Sequence, residues 1–311
     1  MNIVFMGTPD FAVPCLRALI ETGENVQAVF TQPDKPKGRG YKLTPPPVKE
    51  LALQYNIPVY QPVSLKSGDD AETTINVLNE LSPDLIIVVA YGKILPKTIL
   101  DLPKYCINVH ASLLPKYRGA GPIQWSVLNG EKNTGVTTML MAEGLDTGDM
   151  LLSSSIEIGE NETASELHDR LSILGSEVLL ETIKAVKENS LTPKQQDDSL
   201  SCYAPMITKD MCVIDFNKSA LEIHNHIRGL STFPGAVTML NGKRLKVYKS
   251  ICTDYIVSAA PGTVVNTEDF TVVCGDGKCI KFIEVQAEGS KRMSTADYLR
   301  GKSIESGTIL K

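Results

Sequence analysis

The chain has 311 residues, and its 42% of hydrophobic and 22% of charged residues are ordinary for a soluble globular protein. Its length suggests two domains with proper hydrophobic cores. No apolar run approaches the roughly 20 residues needed to cross a bilayer, and the N-terminal residues are typical of a first strand rather than a signal peptide. Seven scattered cysteines, an odd number, favour reduced thiols. We therefore expect a cytoplasmic protein with no membrane partner. We also expect a monomer, although none of these features bears on the oligomeric state.

Charge is distributed unevenly along the chain. The net charge is −5 overall, −8 over residues 1–208 and +3 over residues 209–311. A mildly basic second part is compatible with contact to nucleic acid, although many such asymmetries serve solubility alone. The pattern is therefore weak support for a nucleic-acid partner.

Apolar strand patterns alternate with helical patterns over the first 190 residues, which predicts an α/β domain with a mostly parallel sheet. Thr8 is the predicted N-cap of a first helix that ends near Ile20, with Pro9 at its first position. The run 84–90 is apolar on both faces and predicts a central, buried strand. The other strands are predicted at 2–6, 25–31, 57–60, 105–110, 135–141 and 150–158, and the other helices at 48–55, 121–128 and 163–188.

The composition changes after residue 189, where a polar, proline-punctuated stretch predicts a linker over 190–208. A helix over 219–229 and several short strands follow. The turns at 241–243 and 275–278 are typical of hairpins. Residues 209–311 are therefore predicted to form a small β-barrel or a curled sheet, separate from a first domain over 1–189.

The most informative segment is the predicted strand that ends in Asn108 and His110. These residues are two apart on a strand, so their side chains leave the same face. Open α/β sheets bind ligands at the carboxyl ends of their strands, and a loop rich in Gly and Pro follows here. An amide beside an imidazole can stabilise an oxyanion and move a proton. The alternative, that His110 is a hydrogen-bonded core residue, is weaker because of this strand-end position.

Asp146 and Asp149 follow the next predicted strand, in the sequence GLDTGD. Each could be a turn residue and nothing more, since Asp and Gly both favour turns. The strand before them is expected to lie beside the Asn108 strand, which would bring Asp146 within reach of His110. A carboxylate there would orient the imidazole or relay a proton.

The segment 32–47 is long for a βα connection and carries a net charge of +3. Connections of this length are usually functional or disordered. Lys37, Arg39 and Lys42 are therefore candidates for contacts with phosphates, although a solvated loop is the simpler interpretation.

Other motifs are weaker than they first look. Gly7 alone does not make a nicotinamide-binding fingerprint, which needs three glycines. His224 and His226 are two apart on a predicted helix and face different directions, so we expect no zinc there. A serine hydrolase is the weaker alternative because the GxSxG motif is absent. No metal is expected.

Five segments resemble methionyl-tRNA formyltransferases, and the resemblance covers essentially the whole chain. Within INVHASLLPKYRGAGPIQ (107–124), the run NVHxSLLPxxRG is shared with wider relatives that use 10-formyltetrahydrofolate. The run GTPDFA together with FTQPDKPKGRG (30–40) is far more specific to the tRNA enzymes. The other three segments are FMGTPDFAVPCL (5–16), VVAYGKILP (88–96) and GLDTGDM (144–150).

The resemblance implies a Rossmann-like domain followed by a small OB-like β-barrel that holds the tRNA. It implies that Asn108, His110 and Asp146 are the catalytic residues, and that Arg39 reaches toward the acceptor end of an initiator methionyl-tRNA. The folate-contacting segment would consist of Ser112, Leu113, Leu114 and Pro115. A sugar-nucleotide formyltransferase and a catalytically silent tRNA- or folate-binding protein are the two rival interpretations.

Overall fold

A computed structural model describes residues 1–37 and 42–311 of the protein. The chain divides into two compact units. The first unit comprises Met1–Gly119, Gly135–Ile156 and His168–Tyr203, and the second comprises Ala120–Thr134, Glu157–Leu167 and Ala204–Lys311. Both units therefore draw on more than one stretch of the sequence.

A seven-stranded sheet organises the first part of the chain. Its strands are β1 (Asn2–Gly7), β2 (Asn25–Phe30), β5 (Val59–Tyr60), β6 (Leu85–Val89), β7 (Tyr105–His110), β8 (Asn133–Leu140) and β9 (Met150–Glu157). They lie in the order β5-β2-β1-β6-β7-β8-β9. The first five are parallel to one another, and β8 runs antiparallel to β7. Every residue of β6 is buried, as its uniform apolar pattern predicts.

Among the described residues before position 190 there are six α-helices: α1 (Val13–Glu21), α2 (Pro47–Gln54), α3 (Asp69–Leu81), α4 (Lys97–Leu100), α5 (Pro122–Leu128) and α6 (Ala164–Lys187). The predicted cap of α6 is confirmed, because the Thr163 hydroxyl accepts from the Glu166 amide and the Glu166 carboxylate accepts from the Thr163 amide. The segment predicted as a loop over 32–47 contains a small antiparallel pair, β3 (Lys35–Lys37) and β4 (Lys42–Thr44).

The prediction that Thr8 caps the first helix is wrong. A short 3-10 turn, Asp10–Ala12, intervenes, and α1 begins only at Val13. The Thr8 hydroxyl instead donates to the Tyr91 carbonyl at 2.9 Å. Because that partner is distant in sequence, local pattern could not reveal it.

The second unit contains a sheet of six strands: β10 (Ala236–Leu240), β11 (Lys243–Ile256), β12 (Val264–Asn266), β13 (Thr271–Val273), β14 (Lys278–Ala287) and β15 (Met293–Ser294). Its pairs are antiparallel, in the order β10-β11-β14-β13-β12 with β15 beside β14. The predicted hairpins β10–β11 and β13–β14 are confirmed. The predicted β domain is thus an antiparallel sheet.

Two helices accompany that sheet, α7 (Ala220–Leu230) and α8 (Thr295–Gly301). Ser219 and Glu222 form a capping box at the start of α7. Ile223 and Ile227 of this helix belong to a buried apolar cluster that also contains Phe282 of β14. The unit therefore has a hydrophobic core of its own. Within residues 1–37 and 42–311, no helix combines the length and the apolar character that crossing a membrane requires.

Candidate active site

Strand β7 has the predicted bounds and places Asn108 and His110 near its carboxyl end. Asn108 lies beside Val88 of β6 and Met139 of β8, and His110 lies beside Thr137. Because side chains alternate along a strand, both project from one face of the sheet. Asn108 is 9% exposed and His110 is 6% exposed.

The Asn108 carboxamide has no hydrogen-bond partner in the part of the chain that the structure describes. An amide that is buried on most sides without a partner is costly unless a ligand or a water meets it. The NH₂ group of Asn108 is therefore available to donate to a substrate oxygen.

The His110 imidazole faces an acceptor at each ring nitrogen. Nε2 lies 2.9 Å from the Tyr117 carbonyl oxygen, and Nδ1 lies 3.7 Å from Oδ2 of Asp146. A carbonyl oxygen only accepts, so Nε2 carries a proton in this arrangement. A ring that also carries a proton on Nδ1 would direct it toward the carboxylate.

Asp146 lies in the turn between β8 and β9 and has a left-handed backbone conformation with φ of 52°. Its Oδ2 accepts from the Gly119 amide at 2.7 Å. Only 15% of the side chain is exposed. The carboxylate is thus fixed by the loop that follows β7, on the side where it meets the imidazole.

The predicted folate segment, Ser112 to Pro115, follows β7 directly. The Thr137 hydroxyl of β8 donates to the Ser112 carbonyl at 2.7 Å and accepts from the Leu114 amide at 3.1 Å. Ser112 and Leu114 are buried, and the Ser112 hydroxyl donates to the Lys116 carbonyl at 2.6 Å. This segment is therefore held against the sheet beside Asn108 and His110.

Sequence patterns did not indicate Gln196, although it contacts the turn that carries Asp146. Its Nε2 donates to the carbonyls of Asp146 and Gly148 at 2.8 and 2.7 Å. Its Oε1 accepts from the Arg118 guanidinium at 3.0 and 2.8 Å. Gln196 comes from a polar stretch without periodicity, so no local signal could have singled it out.

The three predicted tRNA-contacting residues belong to the segment between β2 and α2. Lys37 ends β3 and Lys42 begins β4, while Arg39 lies outside the described residues. At the base of this segment, Lys49 Nζ donates to Asp34 at 2.8 Å and to Gln61 at 2.7 Å. The hydrogen bonds from Lys49 and then Gln61 lower the pKa of Asp34.

Over the described ranges, no group of three or more His, Cys, Asp or Glu side chains is arranged to hold a metal ion. His224 is a structural residue, since its ring contacts the Ser250 hydroxyl and the Glu160 carbonyl at 3.0 and 3.1 Å. Burial lowers the pKa of His224. The expectation that no metal takes part stays a prediction.

Comparison with known families gives two matches that together cover most of the chain. Residues 1–183 match the model of the formyl transferase family, and residues 206–303 match that of the formyl transferase C-terminal domain.

Solved structures of low sequence identity share the fold. An N-formyltransferase from Helicobacter canadensis, in complex with folinic acid and dTDP-3-aminofucose, aligns with a TM-score of 0.70 at 22% identity, over 92% of this chain and 98% of that one. HypX from Aquifex aeolicus, in complex with tetrahydrofolic acid, aligns with a TM-score of 0.66 at 16% identity, over 96% of this chain and 47% of that one. At these identities the likeness concerns the fold alone.

Curated relatives match at much higher identity and over their full length. The methionyl-tRNA formyltransferase of Caldanaerobacter subterraneus is 53% identical, with 100% of both chains covered. The one from Alkaliphilus oremlandii is 52% identical over 100% of this chain and 99% of that relative. The chain belongs to the methionyl-tRNA formyltransferase family.

Proposed function

We propose that this protein transfers the formyl group of 10-formyltetrahydrofolate to the α-amino group of methionyl initiator tRNA. The product, formylmethionyl-tRNA, would serve translation initiation. One observation carries the proposal: over its full length the chain is 53% identical to a protein with this named activity. The grouping of an amide, an imidazole and a carboxylate near the end of β7 supplies chemistry that suits the reaction.

The nucleophile of this reaction needs little activation. A free α-amino group has a pKa of roughly 7.7 to 8.0, and esterification of the neighbouring carboxyl group lowers it further, so much of the amine is neutral near pH 7. The harder task is to stabilise the oxyanion that develops on the formyl oxygen while the attacking nitrogen becomes cationic. The new C–N bond forms to the amine, the C–N10 bond breaks, and N10 leaves with a proton.

We assign the oxyanion first to Asn108, because its carboxamide has no hydrogen-bond partner among the described residues and lies beside His110 near the end of β7. Removal of a donor of this kind typically costs about 10² to 10³ in rate. Ser112, Leu113, Leu114 and Pro115 are assigned to the folate, since this largely buried segment lies beside Asn108 and His110 at the sheet edge. No metal is required for these steps.

We assign His110 as a second donor to the oxyanion. We propose that Asp146 orients His110 and accepts the amine proton, directly or through water. In the structure Nε2 of His110 is held by the Tyr117 carbonyl. Donation to substrate therefore requires Nε2 to exchange that carbonyl for the formyl oxygen. Catalytic hydrogen bonds are often long or differently paired before substrate binds.

The acceptor side of the proposal rests on the charged segment between β2 and α2 and on the basic C-terminal region. The tRNA would be contacted by Arg39, Lys37 and Lys42. The catalytic domain would comprise residues 1–189 and the tRNA-binding domain residues 209–311, with a linker at 190–208 between them. We propose that the C-terminal sheet forms an OB-like β-barrel. We also propose that the protein acts as a monomer in the cytoplasm.

The decisive experiment is incubation with labelled 10-formyltetrahydrofolate and charged initiator tRNA, followed by analysis of the aminoacyl product. Labelled formylmethionine on the tRNA is the expected result. Folate and tRNA binding without any formylated product would support a silent binding protein instead.

A sugar-nucleotide formyltransferase is the second candidate, favoured by one observation. The solved structure of similar fold from Helicobacter canadensis holds an amino-sugar nucleotide. A parallel reaction with such an amino sugar as acceptor separates the two functions. Formyl transfer to the sugar but not to methionyl-tRNA would refute the proposal.

A further inference from the structure

Gln196 is the single buried side chain in a stretch of linker whose other side chains face solvent. Residues 192–200 are all described, and eight of these nine are exposed, whereas Gln196 is 7% exposed. A long polar side chain loses both conformational freedom and hydration when it is buried. Such burial is stable only where the amide group finds partners.

The Gln196 amide uses its full capacity for hydrogen bonds. Its nitrogen donates to the Asp146 and Gly148 carbonyls, and its oxygen accepts from Nε and Nη2 of Arg118. Because the guanidinium can only donate and the two carbonyls can only accept, the orientation of the amide is fixed by its partners.

The turn that Gln196 holds needs external support. Asp146 has a left-handed backbone with φ of 52°, a conformation that L-residues rarely adopt. Gly148 approaches the Leu140 carbonyl so closely that a Cβ at this position would lie 1.8 Å from that oxygen. Two hydrogen bonds from one amide to carbonyls 146 and 148 fix the backbone on both sides of Thr147.

Arg118 provides the other end of the connection. It lies in the loop after β7, one residue from the Tyr117 carbonyl that holds the His110 ring and one from the Gly119 amide that binds Asp146. Gln196 therefore joins the two loops that determine where Asp146 lies relative to His110.

We propose that Gln196 is a positioning residue for the reaction, which acts by holding the Asp146 turn in place through its two donated hydrogen bonds. The inference rests on the proposed catalytic role of Asp146. It gives the linker a part in catalysis that is distinct from connecting two domains. Gln196 touches no substrate in this assignment.

The test is Gln196→Glu, with Gln195→Glu as a matched control. A glutamate at 196 can still accept from Arg118 but cannot donate to the Asp146 and Gly148 carbonyls. The substitution therefore removes the contacts with the Asp146 turn and keeps the contact that anchors the linker. Gln195 is exposed, and the same substitution there should leave the rate unchanged. We expect Gln196→Glu to lower kcat by about 10- to 100-fold, as misplacement of a reacting group does. The KM values for both substrates should stay within about twofold of wild type.

A double variant tests whether Gln196 acts through Asp146. In an Asp146→Asn background, Gln196→Glu should cause little further loss, because the group that it positions is already disabled. A wild-type kcat for Gln196→Glu would overturn the proposal, and so would a full, multiplicative loss in the double variant. Loss of folate binding together with a lowered melting temperature would also overturn it, since that indicates a general structural role.

The proposed function and this inference fail in different ways. If wild-type protein does not formylate methionyl-tRNA, the proposed function is refuted before any variant is compared. If wild type is active and Gln196→Glu is equally active, only the positioning role is refuted.

Discussion

Nδ1 of His110 lies 3.7 Å from Oδ2 of Asp146, while that same oxygen accepts from the Gly119 amide at 2.7 Å. The first distance is too long for a hydrogen bond but well within the range of a charge interaction. The carboxylate is therefore placed by the backbone of the loop after β7 and can stabilise positive charge on the ring. A shift of roughly 0.5 to 1 Å would bring the two atoms within hydrogen-bond distance.

Asp146→Asn should lower turnover by about 10² to 10⁴, the usual cost of losing a general acid or base. The amide keeps an oxygen for the Gly119 amide, so the turn should stay folded while the negative charge is lost. Steady-state kinetics with methionyl-tRNA measure the effect. Glu143→Gln, an exposed carboxylate before the same turn, is the control and should keep the wild-type rate.

Asn108→Ala should lower kcat by about 10² to 10³ through loss of an oxyanion donor. The side chain makes no hydrogen bond within the described chain, so its removal leaves no protein group unpaired. The melting temperature should therefore change little. A variant that retains near-full activity would contradict the role given to Asn108.

Arg39→Ala should weaken tRNA-dependent turnover and reduce its sensitivity to salt, because a lost phosphate contact lowers the salt slope by about one unit. Folate binding should not change. The measurement is kcat/KM for methionyl-tRNA across a range of salt concentrations, beside a minimal amine acceptor. Arg17, a surface arginine paired with Glu21, provides the control substitution. Equal loss with the minimal acceptor would argue against a tRNA contact.

Stability should fall as the pH drops below about 6.5, because burial lowers the pKa values of His224 and His226 in the folded state. The unfolded chain then binds protons that the folded chain excludes, so the stabilisation is complete above the unfolded pKa and is lost below it. Glu166 does not contribute in this window. Burial opposes its ionisation, but the Lys249 ion pair and the Thr163 hydrogen bonds outweigh burial and lower its pKa to about 2.

Thermal unfolding between pH 8 and pH 5 measures this effect. A His224→Gln variant should be less stable overall, yet its melting temperature should depend less on pH than that of the wild type. An unchanged pH dependence in the variant would show that other groups control the acid response.

Strand β7 and helix α6 could be predicted from sequence because their signals are local. β7 shows apolar and β-branched residues that end at a loop with Gly and Pro, and α6 begins with the capping box of Thr163 and Glu166. Helix α3 was not predicted, and its composition explains why. Its buried positions are Ala71, Thr74 and Leu78. Because one of these residues is small and one is polar, the sequence does not show apolar residues at the helical spacing of 3.6.

The candidate site could be predicted only where its chemistry lies on ordered elements. Asn108 and His110 follow from the alternation of a strand, and Asp146 follows from the turn after a neighbouring strand. The Tyr117 carbonyl, the Gly119 amide and Gln196 could not be predicted, because their contacts join segments that are far apart in sequence.

The segment around Gln196 is attached by its backbone on either side of that residue. Lys194 exchanges two hydrogen bonds with Met150, and the Cys202 carbonyl accepts from the Arg118 amide. The chain between these two anchors is therefore held at both ends. Affinity tags, fusion joints or inserted residues placed between 194 and 202 would shift the amide out of register while both sheets remain folded. Protein engineers should therefore place such junctions outside this interval.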